Sequence, residues 1–204
     1  MNTPPHELTP KVVLYEPRYL LHNAISNIFN DYGWNVFDIR ADMFVEDFCS
    51  ITDKPALIAL GMHGTGKNII PFLQAIHRFS SMNYQIMIWL PKQDNAFKRF
   101  LTTLGVRYIF AETSLYEELT DFAATYSLPE QPKNRPKTML TDNELAILLD
   151  ISKGMSVASI ANQRRCSNKT IYALKRNART RIGLDAHEWL ELLSKISKIK
   201  SIDF

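Results

Sequence analysis

The chain has 204 residues, of which 46% are hydrophobic and 22% are charged, as in ordinary folded proteins, and its length suits two small domains. No apolar run approaches the ~18 residues that a membrane span needs, and the first ten residues lack the features of a secretory signal. Only Cys49 and Cys166 are present. A disulfide framework is therefore excluded, and we expect a cytoplasmic protein.

Charge is distributed unevenly along the chain. Residues 1–126 contain ten Lys and Arg against thirteen Asp and Glu, whereas residues 138–204 contain eleven against seven. Residues 127–137 contain three prolines and almost no apolar side chain, which predicts a semi-rigid linker. After a short tail (1–10), the sequence therefore predicts an acidic domain over 11–126 and a basic domain over 138–204 that alone contacts nucleic acid.

Strand patterns and helix patterns alternate in the acidic domain. The five strands are predicted at 11–15, 34–39, 56–60, 86–90 and 106–110. The helices are predicted at about 20–33, 42–51, 69–76, 97–104 and 115–126. Because a parallel crossover is normally made by a helix, this alternation predicts an α/β domain with a five-stranded, parallel, doubly wound sheet.

A glycine-rich segment, Gly61–Asn68, follows the third predicted strand. It matches the pattern of a phosphate-binding P-loop at every position but the last, where Asn68 replaces the Ser or Thr that would hold Mg²⁺. A turn is the favoured interpretation, with nucleotide binding as the weaker alternative. No other spacing of residues predicts a metal, a cofactor or an enzyme site.

Helix signals follow one another closely in the basic domain. Thr141 and Glu144 have capping-box spacing, Gly154 is placed to end that first helix, and Ser156 can cap a second. A third helix is predicted over about 168–182. The fourth carries an apolar stripe, which should close the small core and could in part pair with a second copy: Trp189, Leu192, Leu193, Ile196 and Ile199.

The third of these helices is strongly basic. Residues 151–184 contain eight Lys and Arg and no Asp or Glu. Such charge has no evident use inside a monomer that offers it no acidic partners. Contact with nucleic-acid phosphates would give this positive charge a role, because the release of counterions then supplies binding affinity.

This part of the chain resembles the LuxR/FixJ-type helix-turn-helix of bacterial transcription regulators, over residues 140–193. The matching residues keep the family's order without gaps: Leu140-Thr141, Glu144, Leu148, Gly154, Ser156, Ile160-Ala161, Lys169-Thr170-Ile171, Asn177, Arg181, Ile182 and Gly183. Leu174 and Ala178 depart from the family, which often has His and a larger apolar residue there. The resemblance implies an all-α, four-helix domain that binds double-stranded DNA with its third helix in the major groove.

The family's motif also assigns roles on that helix. It places Lys169 and Thr170 against phosphate, turns Tyr172, Ala173 and Arg176 toward base edges, and gives Lys175, Asn177 and Arg179 further backbone contacts. Four apolar residues at helical spacing are predicted to be core: Ile171, Leu174, Ala178 and Ile182.

The acidic domain resembles the receiver domain of response regulators, in which acids at the strand ends bind Mg²⁺ and one Asp is phosphorylated. Here the corresponding positions are Glu16-Pro17, Gly61, Pro91 and Glu112. At these four positions the family has, in the same order, an acidic pair, the Asp that is phosphorylated, a Thr or Ser, and a Lys. Only Glu16 matches, so the resemblance implies a degenerate receiver that cannot be phosphorylated.

A receiver-like domain without phosphorylation is expected to act by dimerising, with itself or with another regulator. An adaptor that works mainly by pairing with another regulator is the alternative interpretation. Aromatic residues near the fourth helix and fifth strand offer a contact surface, although most are expected to be core: Phe97, Phe100, Tyr108 and Phe110.

Overall fold

A computed structural model of the chain describes residues 9–39, 55–62, 69–92, 94–126 and 138–198. The predicted helix at 42–51 and the linker at 127–137 lie outside the described residues. No helix among those described has the length and apolarity that a bilayer crossing requires.

The chain divides into two compact units. The first contains Met1–His63, Tyr84–Lys92 and Tyr108–Gln131; the second contains Gly64–Asn83, Gln93–Arg107 and Pro132–Phe204. All five strands therefore belong to the first unit. The second unit combines two helices of the predicted α/β domain with the C-terminal helices. The domain boundaries drawn from the sequence, 11–126 and 138–204, therefore remain a prediction.

The first unit is built on a five-stranded parallel sheet. Its strands are β1 (Lys11–Tyr15), β2 (Asn35–Asp38), β3 (Leu57–Gly61), β4 (Ile86–Leu90) and β5 (Tyr108–Ala111). They lie in the order β2-β1-β3-β4-β5, and all four pairings are parallel. This order, which reverses between β1 and β3, is that of a doubly wound sheet, so the predicted fold class is confirmed.

Two helices complete the first unit, α1 (Tyr19–Asp31) and α4 (Leu115–Thr125). Their apolar faces join one face of the sheet in a core that includes Ile25, Phe29 and Leu119. β3 and β4 are buried at every residue, which explains why these strands are apolar throughout. In β5, Tyr108 and Phe110 are half-buried and pack against this core.

The second unit consists entirely of helices in its described part. They are α2 (Ile69–Ser81), α3 (Asn95–Thr103), α5 (Asp142–Ser152), α6 (Val157–Gln163), α7 (Asn168–Ile182) and α8 (Ala186–Lys198). Phe97 and Phe100 of α3 are buried, so these two aromatic residues are also core. In α8, Trp189, Leu192, Leu193 and Ile196 are buried, which confirms the core interpretation for these four residues. Ile199, the last residue of the predicted stripe, lies outside the described residues.

Helices α2 and α3 contact the C-terminal segment at its beginning and at the turn between α7 and α8. The Leu140 N–H donates to the Thr103 carbonyl at 2.8 Å, and His77 Nε2 lies 2.8 Å from the Leu140 carbonyl. Arg99 donates to the Gly183 carbonyl at 2.5 Å and forms an ion pair with Glu188. These contacts explain why α2 and α3 belong to the second unit.

Candidate nucleic-acid interface

Helix α7 begins and ends at well-defined caps. The Ser167 hydroxyl accepts a hydrogen bond from the Thr170 N–H at 3.1 Å, and Gly183 closes the helix in the left-handed conformation with φ +76°. The predicted range of 168–182 is confirmed. The turn before α7 contains no glycine; Arg165 takes the left-handed conformation there, with φ +52°. Sequence analysis missed this role, because Gly or Asn is the usual signal for it.

One stripe of α7 fixes its orientation. Ile171, Ala178 and Ile182 are buried, and Leu174 packs partly buried against the same core cluster as Ile171. These residues recur at helical spacing, so the rest of the helix surface is directed away from the core. The predicted core residues of this helix are confirmed.

The eight predicted DNA-contacting residues all lie outside the buried stripe. Six are exposed, namely Lys169, Thr170, Tyr172, Ala173, Arg176 and Asn177, and two are half-buried, Lys175 and Arg179. Tyr172 is 59% exposed, which is unusual for a large aromatic side chain and leaves its ring available for contact. The fold therefore brings these residues onto one helix without burying any of them.

The basic residues nearby fall into two groups. Arg164 lies 2.6 Å from Asp150, Lys153 lies 3.7 Å from Asp150, and Arg181 lies 3.0 Å from Glu144. The expectation that this charge has no acidic partner is wrong for these three, because α5 supplies acids from outside the basic stretch. Five others make no salt bridge to any described residue: Arg165 in the turn before α7, and Lys169, Lys175, Arg176 and Arg179 on α7. The four cations on α7 remain available for phosphate or base contacts.

Glu144 connects the capping of α5 to the position of α7. Its carboxylate accepts from the Thr141 N–H at 2.8 Å, the Thr141 hydroxyl accepts from the Glu144 N–H at 3.2 Å, and the predicted capping box is confirmed. The same carboxylate pairs with Arg181 of α7, and its side chain is only 3% exposed. A buried ion pair of this kind fixes the end of α7 against α5.

A second cluster of charged residues lies at the carboxyl ends of β1 and β5. Arg18 donates to the Glu16 carboxylate through Nε and Nη2, each at 2.8 Å, and to Glu112 at 2.9 and 3.0 Å. Trp89 Nε1 donates to Glu16 at 2.8 Å. The hydrogen bond from Arg18 to Glu16 is the main cause that raises the pKa of the guanidinium above its ordinary value. The pocket thus contains a permanent cation between two carboxylates.

Gly61, the last residue of β3, closes this cluster. A Cβ added there would collide with Glu16 Oε2 and would lie 2.9 Å from Glu16 Cδ and 3.1 Å from Trp89 Nε1. The buried Glu16 carboxylate therefore fills the space that any side chain at position 61 would enter.

The glycine-rich segment and the metal-ligating side chains bear on two other chemistries, nucleotide binding and metal binding. Residues 63–68 of the glycine-rich segment lie outside the described residues. Gly61, its first residue, faces the Glu16 carboxylate, a poor neighbour for a phosphate. Among the described residues, no group of His, Cys, Asp and Glu is arranged to hold a metal ion.

Comparison with known proteins gives a family for the C-terminal segment. Residues 138–188 match the family model GerE, bacterial regulatory proteins of the luxR family. This segment is therefore a LuxR-family helix-turn-helix domain. A search of curated protein sequences finds no significant match.

Solved structures of two-domain response regulators share the fold. A structure of two RcsB dimers bound to two parallel DNAs is 16% identical, covers 92% of this chain and 99% of that chain, and has a TM-score of 0.52. An RcsB–DNA complex is 16% identical, covers 92% of this chain and 99% of that chain, and has a TM-score of 0.50. Full-length FixJ from B. japonicum is 14% identical, covers 92% of this chain and 97% of that chain, and has a TM-score of 0.42. At 16% identity the likeness to the two RcsB structures concerns the fold alone.

Proposed function

We propose that this protein is a sequence-specific DNA-binding transcription regulator that places α7 in the major groove. The observation that carries the proposal is the exposed surface of α7, where four cations that pair with no acid among the described residues accompany Tyr172 and Asn177. A LuxR-family domain over residues 138–188 supports it. An α-helix fits the major groove, where base edges can be distinguished.

The contacts divide by their position along the helix. Lys169 and Thr170 lie in the first turn of α7, where the positive end of the helix dipole favours a phosphate. Arg176 is two turns further along and exposed, so its guanidinium can donate two hydrogen bonds to guanine. Tyr172 and Ala173 face base edges between them.

The first experiment measures binding by gel shift, on an operator selected by recovering genomic DNA bound to the protein. Arg176→Ala should weaken specific binding by ~1–3 kcal/mol and relax the preference at one base pair. Arg78→Ala is the matched control, since Arg78 is an exposed arginine on α2. Unchanged affinity in Arg176→Ala would show that α7 does not read bases in this way.

Lys169→Ala should behave differently. Loss of a phosphate contact weakens binding about equally on specific and random DNA and reduces the slope of log K against log salt by about 1. Lys98→Ala, which removes an exposed charge from α3, is the matched control. A sequence-selective loss in Lys169→Ala would contradict the assigned role.

We further propose that the receiver-like domain works without phosphorylation. Gly61 supplies no carboxylate nucleophile, and Arg18 holds both nearby acids in ion pairs. After incubation with acetyl phosphate and Mg²⁺, intact mass measurement should show no added phosphate. An adduct of one phosphate that is lost in mild alkali would contradict the proposal.

The receiver-like domain would instead serve dimerisation, with a second copy or with another regulator. Helix-turn-helix proteins generally occupy two half-sites about one helical turn apart, and linkage of two such modules raises apparent affinity. Sedimentation of the full chain should therefore give the same dimer population with and without acetyl phosphate. A dimer formed only after treatment would favour a phosphorylation switch.

A further inference from the structure

The turn between α6 and α7 contains a residue that its backbone conformation does not favour. Arg165 has φ +52°, in the left-handed region where a side chain costs energy and glycine does not. Its N–H donates to the Asn162 carbonyl at 3.2 Å. The next N–H, that of Cys166, donates to the Ala161 carbonyl at 3.0 Å. These two hydrogen bonds form a Schellman motif that ends α6, and glycine is the usual residue at the position of Arg165.

The neighbouring helices α5 and α7 end in the same way, but with glycine. After α5, Gly154 has φ +85°, and the Met155 N–H donates to the Asp150 carbonyl at 3.2 Å. After α7, Gly183 has φ +76° and completes the same pattern of hydrogen bonds. The same motif therefore ends three successive helices, and only at the end of α6 does a side chain occupy the left-handed position.

Contacts among the described residues give no reason for an arginine at this position. Arg165 is exposed and makes no ion pair with any described residue. The preceding Arg164 differs, because its guanidinium donates to Asp150 at 2.6 Å and so joins α6 to α5. Asparagine would tolerate the left-handed conformation at lower cost, as Asn83 does after α2 with φ +61°. Backbone strain that no contact uses is typical of residues with a function.

Arg165 lies beside the helix that is proposed to enter the major groove. It is two residues before Ser167, the N-cap of α7, so the two Cα atoms are at most about 7 Å apart. Lys169 and Thr170, the proposed phosphate contacts, follow in the first turn of the helix. A duplex carries one phosphate charge for about every 1.7 Å of its axis. If Lys169 and Thr170 contact the DNA backbone, the free guanidinium of Arg165 therefore has phosphates within reach.

We propose that Arg165 is a further DNA-contacting residue, which binds a backbone phosphate at the border of the major groove. The positive charge then accounts for a side chain where the backbone favours glycine. Phosphate contacts carry no sequence information, so Arg165 raises the affinity for every duplex and does not select among operators. This inference rests on the proposed function, since it adds a residue to the proposed interface.

Gel-shift titrations of the full chain, on the selected operator and on a random duplex, test the contact. Loss of one phosphate contact lowers the slope of log K against log salt by about 0.9, which is roughly an eightfold loss of affinity at 0.1 M salt relative to 1 M. Arg165→Ala should show this loss equally on both duplexes, whereas Arg165→Lys, which keeps the charge, should retain most of the slope. Arg78→Ala on α2 is again the matched control. Unchanged affinity and slope in Arg165→Ala, or a loss on the operator alone, would overturn the proposal.

A comparison of glycine with alanine separates the charge from the backbone. Glycine relieves the left-handed conformation and alanine does not, so Arg165→Gly should have a Tm about 2–4 °C above that of Arg165→Ala. Both variants lose the same cation, so their affinities for DNA should be equal. Asn83→Gly makes the same kind of backbone change after α2 and should leave DNA binding unchanged. An affinity that differed between Arg165→Gly and Arg165→Ala would show that the backbone governs binding, and the proposal would be wrong.

The phosphate contact and the proposed function can fail separately. If Arg176→Ala leaves operator binding unchanged while Arg165→Ala lowers the salt slope on both duplexes, the phosphate contact stands and base reading by α7 does not. If Arg176→Ala weakens operator binding while Arg165→Ala changes neither affinity nor slope, the proposed function stands and Arg165 is only a solvated residue.

Discussion

Gly61, at the carboxyl end of β3, offers the sharpest test of the structure. Gly61→Ala adds one methyl group where the Glu16 carboxylate lies. That carboxylate is held by Arg18 through its N–H at 2.9 Å and its guanidinium at 2.8 Å, and by Trp89 at 2.8 Å. The methyl group can be accommodated only if Glu16 moves away from some of these donors.

The size of the effect follows from those hydrogen bonds. Hydrogen bonds to charged groups contribute ~1.5–3 kcal/mol each, so loss of one should lower the free energy of unfolding by ~1.5–3 kcal/mol. For a chain of this length that is a fall of roughly 3–12 °C in Tm. Urea unfolding followed by circular dichroism and tryptophan fluorescence measures it.

A double-mutant cycle separates the collision from other causes. In a Glu16→Ala background the obstacle is gone, so Gly61→Ala should cost at least 1 kcal/mol less than in the wild type. Gly33→Ala is the control, since Gly33 has φ +76° with no atom within 4 Å of an added Cβ. Its cost, ~1–2 kcal/mol of backbone strain, should not depend on Glu16. A Gly61→Ala cost that is equally independent of Glu16 would refute the reasoning.

Three further predictions concern the second unit. Glu144→Gln keeps a capping oxygen but loses the ion pair with Arg181, and should lower the unfolding free energy by ~1–3 kcal/mol, as measured in urea. Ala178→Leu overfills a site that is fully buried and should cost ~1–3 kcal/mol by the same measurement; no loss would reveal a cavity there. Burial opposes ionisation of Asp94, but hydrogen bonds from Lys195 and from the backbone outweigh it, and its folded pKa is below the ordinary 3.8. The stability that this carboxylate contributes is therefore present above about pH 3.8 and is lost as the pH falls through the lower folded pKa. In thermal melts from pH 2 to 6, Asp94→Asn should lack this part of the pH dependence of Tm.

Much of the fold is determined by short-range patterns in the sequence. The strands β3 and β4 are apolar throughout, and β1 is apolar after Lys11, because all three are central in a parallel sheet; they were predicted to within one residue. The range of α7 and the capping box at Thr141 were also predicted, because caps depend on residues three or four positions apart. The core stripe of α7 follows from helical spacing alone, and so does the outward direction of the proposed DNA contacts.

Only the tertiary structure decides which charges meet. Arg164 and Arg181 are indistinguishable by sequence pattern from Arg176, yet Asp150 and Glu144 of another helix pair with the first two and not with the third. Sequence spacing likewise gives no indication that Arg18 meets Glu112, 94 positions away. The physical reason is range: hydrogen-bonded caps and periodic apolar faces are encoded within one element, whereas ion pairs and surface exposure depend on how separate elements pack together.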